Sequence, residues 1–431
     1  MIRKVSWVAS AHEENTDFPL ENLPLCVFRG AGSAQPWRIG VGIGTQIVDL
    51  RRVAGEGLLS SLPDSLVEAC GQDSLNALFA LGRGAVRDLR ARLQLLLADG
   101  SPDRSRIEPG LVQQAEAEHA MPMQVGDYTD FLSSFNHAYN VGMMLRPDEP
   151  VLPNFHTIPV AYHGRSSSLL VSGEPVYRPN GVHRIAHGKN DTRFGPTQRL
   201  DLEVELGAFI GPGNPRGKPI PVDEADSHVV GLCVLNDWSA RDIQSWETQP
   251  LGPFLGKNFA TTLSPWVVCT DALEAYKVAP APRQADAPPL QPYLKTTGDD
   301  WTYEIHLETH LSTRKMREQG LPPVLITRSL FSRDSVWTFA QMVAHHTVNG
   351  CNLRTGDLLG SGTLSGPEPG NEGCMLELTR AGRLPLSLPG DESRSFLEDG
   401  DEVSITAFSE RAGLPRIGFG RCVARIESMR Q

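Results

Sequence analysis

A mainly β chain with some α, divided into two domains, is the fold class this sequence predicts. Three observations predict it. From about residue 123 onward, short apolar runs alternate with turn formers such as Gly211-Pro212-Gly213-Asn214-Pro215 and Ser365-Gly366-Pro367. No regular strand–helix–strand alternation appears, so a doubly wound sheet is not expected. Helical periodicity is concentrated early, within residues 62–98, where Val86, Leu89, Leu93 and Leu96 recur at helical spacing and Gly100 supplies a stop. A chain of 431 residues is long enough for two cores. The polar, turn-rich Gly100–Arg106 stretch marks the boundary zone, giving expected domains at 1–122 and 123–431.

Taken in order, residues 1–50 alternate weakly. Arg38-Ile39-Gly40-Val41-Gly42-Ile43-Gly44 lacks the spacing of a dinucleotide fingerprint and reads as a glycine-tolerant hairpin. Asp127–His137 opens like a helix, with Asp130 as cap or first-turn residue. His137 would then lie two turns on, on nearly the same face. Tyr162-His163-Gly164-Arg165 sets polar groups beside a glycine. In Leu200-Asp201-Leu202-Glu203-Val204-Glu205-Leu206-Gly207, apolar and acidic residues alternate with the period of a strand. Asp201, Glu203 and Glu205 would share one face, next-but-one neighbours lying roughly 6.5–7 Å apart. Such a face is either solvated or half of a divalent-cation site.

Val229–Leu235 is apolar almost throughout, as in a strand buried on both faces. It ends at Asn236-Asp237, where a helix is expected to begin, with Asp237, Arg241 and Gln244 on one face. The set suits either a capped helix with an ion pair or a ligand with oxyanion donors. Pro250–Asn258 has the wrong spacing for a phosphate loop and reads as a rigid loop presenting Lys257. Ala279–Pro292 is a Pro-rich surface excursion. His345-His346 reads as a packing pair, and Ser361–Gly366 as a turn edge carrying Thr363. Glu377 sits in an apolar strand pattern, either facing water or buried with a histidine partner.

A net charge of −11 disfavours nucleic acid and anionic membranes as partners. The seven scattered cysteines form no CxxC pair and fit buried thiols in a reduced compartment. No apolar run approaches the ~20 residues of a membrane span. Arg3-Lys4 and Ala9-Ser10-Ala11 only faintly resemble an export signal, so a cytoplasmic location is expected.

The motifs Asp127–Phe131 with His137, Tyr162–Arg165, Glu203-Val204-Glu205, Asn236–Gln244, Pro250–Lys257, Thr262–Val268 and Gly362–Pro369 occur in one order. Together with Phe18–Pro24 and Arg416–Gly420, they closely resemble the two-domain fumarylacetoacetate hydrolase family. That resemblance implies a small SH3-like N-terminal barrel and a larger C-terminal β-sandwich roll. It implies a homodimeric hydrolase that cleaves a carbon–carbon bond between two carbonyls of a diketo acid. It implies Asp130, Glu203, Glu205 and Asp237 as ligands of Ca2+ or Mg2+, with Lys257 and Thr261 at or near the cation. His137 matches the base and Glu377 its orienting partner. Arg241, Gln244 and Lys257 match groups around the oxyanion, and Arg146, Tyr162 and Thr363 match substrate contacts, with Gln244 also on that side.

The resemblance also exposes departures. Leu132 and Thr248 stand at substrate-side positions where the family usually has tyrosine, and Ala260 stands for glycine. The implied substrate is fumarylacetoacetate, an intermediate of phenylalanine and tyrosine breakdown. The alternatives are a relative acting on another acylpyruvate or diketo acid, or a catalytically silent cation-binding protein. The pairing of His137 with Glu377 favours hydrolysis over decarboxylation or isomerisation, which need no base to activate water.

Overall fold

The computed structural model describes residues 5–185 and 191–429; Arg3 and Lys4 of the charged start lie outside them. The N-terminal part is built on a five-stranded antiparallel sheet. Its strands run in the order Leu111–Gln113, Gln46–Asp49, Arg38–Ile43, Leu25–Gly30, Ala117–Ala120. The glycine-rich run is a hairpin, as its sequence suggests: Gly40 pairs with Asp49 and Ile43 with Gln46. The expected helical stretch is three helices, Asp64–Cys70, Asn76–Ala80 and Gly82–Leu97. Val86, Leu89, Leu93 and Leu96 form the buried stripe of the longest.

An eight-stranded mixed sheet organises the rest. Its main path runs Val160–Gly164, Tyr128–Leu132, Leu358–Gly360, Val204–Ile210, Val229–Asp237, Thr261–Leu263, Leu169–Val171, and Val268–Cys269 pairs off it with Val229–Asp237. The near-continuous apolar run of Val229–Asp237 has a direct cause, because the strand is covered on both faces. Val230, Cys233 and Leu235 join the core of the N-terminal helices. Leu232 and Val234 face the other way, into a core shared with Leu307, Leu311, Val403, Ile405 and Phe419. These belong to a second, five-stranded sheet in the order Val324–Leu330, His306–Ser312, Glu402–Ser409, Ile417–Glu427, Val176–Tyr177. The fold is therefore mixed α/β, two sheets and a helical layer packed on both faces of the central sheet.

Four local expectations are corrected. Asp130 does not open a helix; it lies in the strand Tyr128–Leu132. The helix begins at Phe135, where Ser134 caps it by accepting from the His137 N–H, which places His137 in the first turn. The acidic alternation is not one strand: Leu200–Asp201 pairs with Ser239–Ala240, and a second strand runs Val204–Ile210. The two strands are interrupted at Leu202-Glu203, and Asp201 is not one of the four carboxylates that converge. All three carboxylates are buried rather than solvated. Asp237 ends a strand, and the helix starts only at Arg241, so Asp237 does not share a helix face with Arg241 and Gln244. Glu377 lies in a helical turn, Met375–Leu378, and is buried. Ala279–Gln291 carries no regular element and is mostly exposed, as its prolines suggest. All seven cysteines are free, six of them buried. Among the described residues no helix is long and apolar enough to cross a membrane.

Candidate active site

Four carboxylates meet at one end of the central sheet. Asp130, Glu203, Glu205 and Asp237 are buried, and one oxygen from each lies within 4.8 Å of the others. Three strands of the central sheet, Tyr128–Leu132, Val204–Ile210 and Val229–Asp237, bring them together with the break before Val204, the first two being separated by Leu358–Gly360. Gly360 gives Asp130 room: a Cβ there would come 2.4 Å from Asp130 Oδ1 and 3.1 Å from Glu205 Oε2. Gly362, at φ +76°, would put a Cβ 1.8 Å from the Phe131 carbonyl; its N–H donates to Asp130 Oδ1 at 3.2 Å.

The four acids are not equally satisfied. Asp237 accepts from Tyr162 Oη at 2.5 Å, Lys257 Nζ at 2.6 Å and Thr261 Oγ1 at 2.5 Å. Glu203 accepts from Lys257 Nζ, Arg241 Nη1 at 2.7 Å and Ser239 Oγ at 3.2 Å. Lys257 and Arg241 thus hold Glu203 down to about 2 although burial opposes its ionisation. Glu205 has no such help: both oxygens are buried without a hydrogen-bond partner. Burial first, and then the neighbouring Asp130 and Asp237, push Glu205 well above the usual carboxylate range. Burial and Asp237 push Asp130 up in the same way. Two carboxylates compensated by cationic side chains beside two that are not is a donor set that fits a hard divalent cation, which prefers oxygen ligands. Lys257 stands at this cluster through its ammonium group, bonded to Glu203 and Asp237, and Thr261 through its hydroxyl on Asp237. Tyr128, buried on the same strand as Asp130, has a hydroxyl without a hydrogen-bond partner.

The second feature is a dyad. His137 Nδ1–H donates to Glu377 Oε2 at 2.6 Å. Glu377 Oε2 also accepts from Ser365 Oγ at 2.8 Å and from the Cys374 thiol at 3.1 Å, and Oε1 accepts from Asn140 Nδ2 at 2.9 Å. Burial favours the neutral acid, but the His137 ring and these donors hold Glu377 below its usual range. Burial and the adjacent Glu377 push the Cys374 thiol well up, so it serves as an S–H donor. Ser134 ties the dyad together: its hydroxyl caps the His137 helix, donates to the Ser365 carbonyl at 2.9 Å and accepts from the Ser365 N–H.

Arg241 and Gln244 lie near the cluster on the helix Arg241–Glu247, with Arg241 Nη1 donating to Gln244 Oε1 at 3.2 Å. Arg241 Nη2 is buried and has no partner. Thr363 is buried next to Gly362. Leu132 ends its strand opposite Val160, and a Cβ added at Gly362 would lie 3.1 Å from its Cα. Thr248 follows the Arg241 helix, and its hydroxyl donates back to the Gln244 carbonyl at 2.6 Å, so it is no free substitute for a phenol. Ala260 is buried directly before Thr261. Arg146 stands apart from the dyad: it is nine residues beyond His137, roughly 13 Å along the helix axis, and donates to the Pro150 carbonyl. His345 and His346 bond Tyr293 and Thr129, as a packing pair should.

Sequence reading missed Asn140, Ser365 and Cys374 as partners of Glu377. Asn140 had a signal, since it lies three residues after His137 on one helix. Cys374 had a similar signal, lying three residues before Glu377, whereas Ser365 had none, because its approach to Glu377 twelve positions on depends on how the intervening chain turns back.

Comparison with known proteins follows the same geometry. The family profile described as Fumarylacetoacetase N-terminal matches residues 21–122, and that described as Fumarylacetoacetate (FAA) hydrolase C-terminal matches residues 128–427. The chain is 45% identical over 421 residues to the fumarylacetoacetase of Homo sapiens, covering 96% of this chain and 97% of the relative. It is 46% identical over 422 residues to that of Bos taurus, with 96% and 97% covered, and 44% identical over 417 residues to that of Arabidopsis thaliana, with 96% of each covered. Among solved structures, the fumarylacetoacetate hydrolase of Exiguobacterium antarcticum superposes with a TM-score of 0.50 at 17% identity, over 94% of this chain and all of that one. That likeness speaks to the fold.

Proposed function

The chain belongs to the fumarylacetoacetate hydrolase family, and from that membership we propose that it hydrolyses fumarylacetoacetate to fumarate and acetoacetate in phenylalanine and tyrosine catabolism. It is a hydrolase acting on carbon–carbon bonds. The observation that carries the reading is the pairing of a buried four-carboxylate cluster with a histidine–carboxylate dyad.

Asp130, Glu203, Glu205 and Asp237 would hold the divalent cation, Ca2+ or Mg2+ by the hardness of the donors. The bound cation would polarise the two oxygens of a 1,3-diketone and offset charge on the departing carbon. His137 takes a proton from water at Nε2, while Glu377 fixes its tautomer through Nδ1 and stabilises the imidazolium that forms. The hydroxide adds to the carbonyl on the fumaryl side. Arg241, through its unpartnered Nη2, is assigned to the developing oxyanion with Gln244 and Lys257. The carbon–carbon bond then breaks with its electron pair on the acetoacetate carbon, which takes up a proton. Tyr162, Thr363, Leu132, Thr248 and Arg146 are assigned to substrate contact by family position. Arg146 would have to reach the pocket from the far end of its helix.

We extend the reading to architecture and setting. The family matches break between residues 122 and 128, in support of domains at 1–122 and 123–431. The five antiparallel N-terminal strands fit an SH3-like barrel, and the two sheets sharing one core fit a sandwich roll. Family membership supports a homodimer, and the free thiols support a cytoplasmic setting. The test is the ultraviolet absorbance of fumarylacetoacetate and a panel of acyl diketo acids mixed with the cation-loaded protein. Cleavage of fumarylacetoacetate above the others is expected. Cleavage of another diketo acid alone would move the substrate, and cleavage of none would favour a silent cation-binding protein.

A further inference from the structure

Asp201 is fully buried and belongs neither to the carboxylate cluster nor to the dyad. Its carboxylate receives N–H donors from three parts of the chain. Oδ1 accepts from the Leu202 N–H at 2.8 Å and the Met375 N–H at 2.6 Å. Oδ2 accepts from the Leu376 N–H at 3.0 Å and Arg241 Nε at 2.8 Å. Met375 and Leu376 open the helical turn that carries Glu377. The residue before them, Cys374, makes no side-chain cap bond. Asp201 therefore caps that turn from 174 positions away in sequence.

The same carboxylate fixes Arg241. Asp201 holds Nε, Glu203 and Gln244 hold Nη1, and only Nη2 is left without a partner. A planar guanidinium held on two nitrogens has no rotational freedom, so the direction of Nη2 is set by where Asp201 sits. Asp201 itself cannot shift easily. It lies in a strand paired with Ser239–Ala240, immediately before Arg241, between the fully buried Leu200 and Leu202.

We propose that Asp201 is a positioning residue that locks Arg241 and the Glu377 turn to one anchor, so that the oxyanion side and the proton-transfer side of the site keep a common register. The inference rests on the reading of Arg241 and Glu377 given under Proposed function. Its chemistry is that of an outer group aligning the groups that meet substrate. Asn at this position would turn an N–H group toward incoming donors and release either Arg241 or the helical turn.

The experiment is a coupling analysis with fumarylacetoacetate at saturating Mg2+, done on wild type that already turns over. Failure of the wild type would fall on the functional reading, not on Asp201. Asp201→Asn and Asp201→Ser are made alone and in Arg241→Gln and Glu377→Gln backgrounds, at a temperature well below unfolding. Each single variant is expected to lower kcat about ten- to a hundredfold, the scale of a small misplacement of reacting groups, with KM changed far less. In either background the further loss should shrink to a few-fold, because the group Asp201 acts through is already gone. Wild-type kcat in a folded Asp201 variant would overturn the proposal. So would a loss that stays full-sized in both backgrounds. Failure of both variants to fold would assign Asp201 to the stability of the core and would overturn it as well.

Discussion

His137 and Glu377 lie 240 positions apart in sequence and 2.6 Å apart in the structure, Nδ1 to Oε2. Four donors converge on the Glu377 carboxylate from His137, Asn140, Ser365 and Cys374. The imidazole is thereby fixed with Nε2 as its remaining nitrogen, which is what a base directed at water requires.

Replacing His137 by Ala should cut turnover by about a hundred- to ten-thousandfold, the usual contribution of a positioned general base. Cation binding, followed by calorimetry, should persist, because His137 makes no bond to the carboxylate cluster. Full activity in His137→Ala would remove it from the mechanism.

The cation should matter more to stability as pH rises. Asp130 and Glu205 have carboxyls raised well above their ordinary values by burial first and then by neighbouring carboxylates, Asp237 for both. In cation-free protein such groups favour the folded state only while protonated, so stability falls from about pH 4 upward through their raised values. Glu203 has the opposite sign, its contribution being lost as pH falls through about 2, so it does not offset the effect at neutral pH. The gain in melting temperature on adding Ca2+ or Mg2+ should therefore be larger at pH 8 than at pH 5. A gain that shrank with pH would contradict the assignment.

Two substitutions separate the members of the cluster. Glu205→Gln removes the carboxylate that has no partner, and should stabilise cation-free protein while weakening cation affinity. Asp237→Ala removes an acceptor for Tyr162, Lys257 and Thr261, and should lower cation content, turnover and stability together. Cation titration and thermal melts on both variants read the difference.

Substrate preference should respond to Leu132 and Thr248. Neither offers a free hydroxyl, since Thr248 donates to the Gln244 carbonyl. A missing hydrogen bond to a charged substrate group is worth about 1.5–3 kcal/mol, roughly ten- to a hundredfold. Leu132→Tyr combined with Thr248→Tyr should raise kcat/KM for fumarylacetoacetate relative to acylpyruvates with less polar tails. An unchanged ratio would show that the departures are neutral.

What sequence could reveal here follows the range of the forces involved. The strand Val229–Asp237 and the helix Gly82–Leu97 were legible because burial imposes a period on neighbouring residues. Local conformation at the site was less legible. Asp130 and Glu377 sit in a strand and a helical turn, the reverse of what their neighbours suggest, because tertiary pairing with Leu358–Gly360 and capping by Asp201 decide those segments. The cation and dyad residues were named through resemblance. Alternation alone puts Asp201 with Glu203 and Glu205, whereas in the structure Asp201 stays outside the four-carboxylate cluster and meets Glu203 only across the shared Arg241 guanidinium.

The central claim is that a cation held by the carboxylate cluster and a base held by Glu377 act together on fumarylacetoacetate. The most direct measurement follows its ultraviolet absorbance with wild-type protein loaded with Mg2+, wild-type protein stripped by a chelator, and loaded His137→Ala protein. The loaded wild type should consume the substrate with release of one fumarate and one acetoacetate per molecule, and the other two should leave the absorbance essentially constant. Unchanged absorbance with the loaded wild type, or equal rates in all three, would contradict the account.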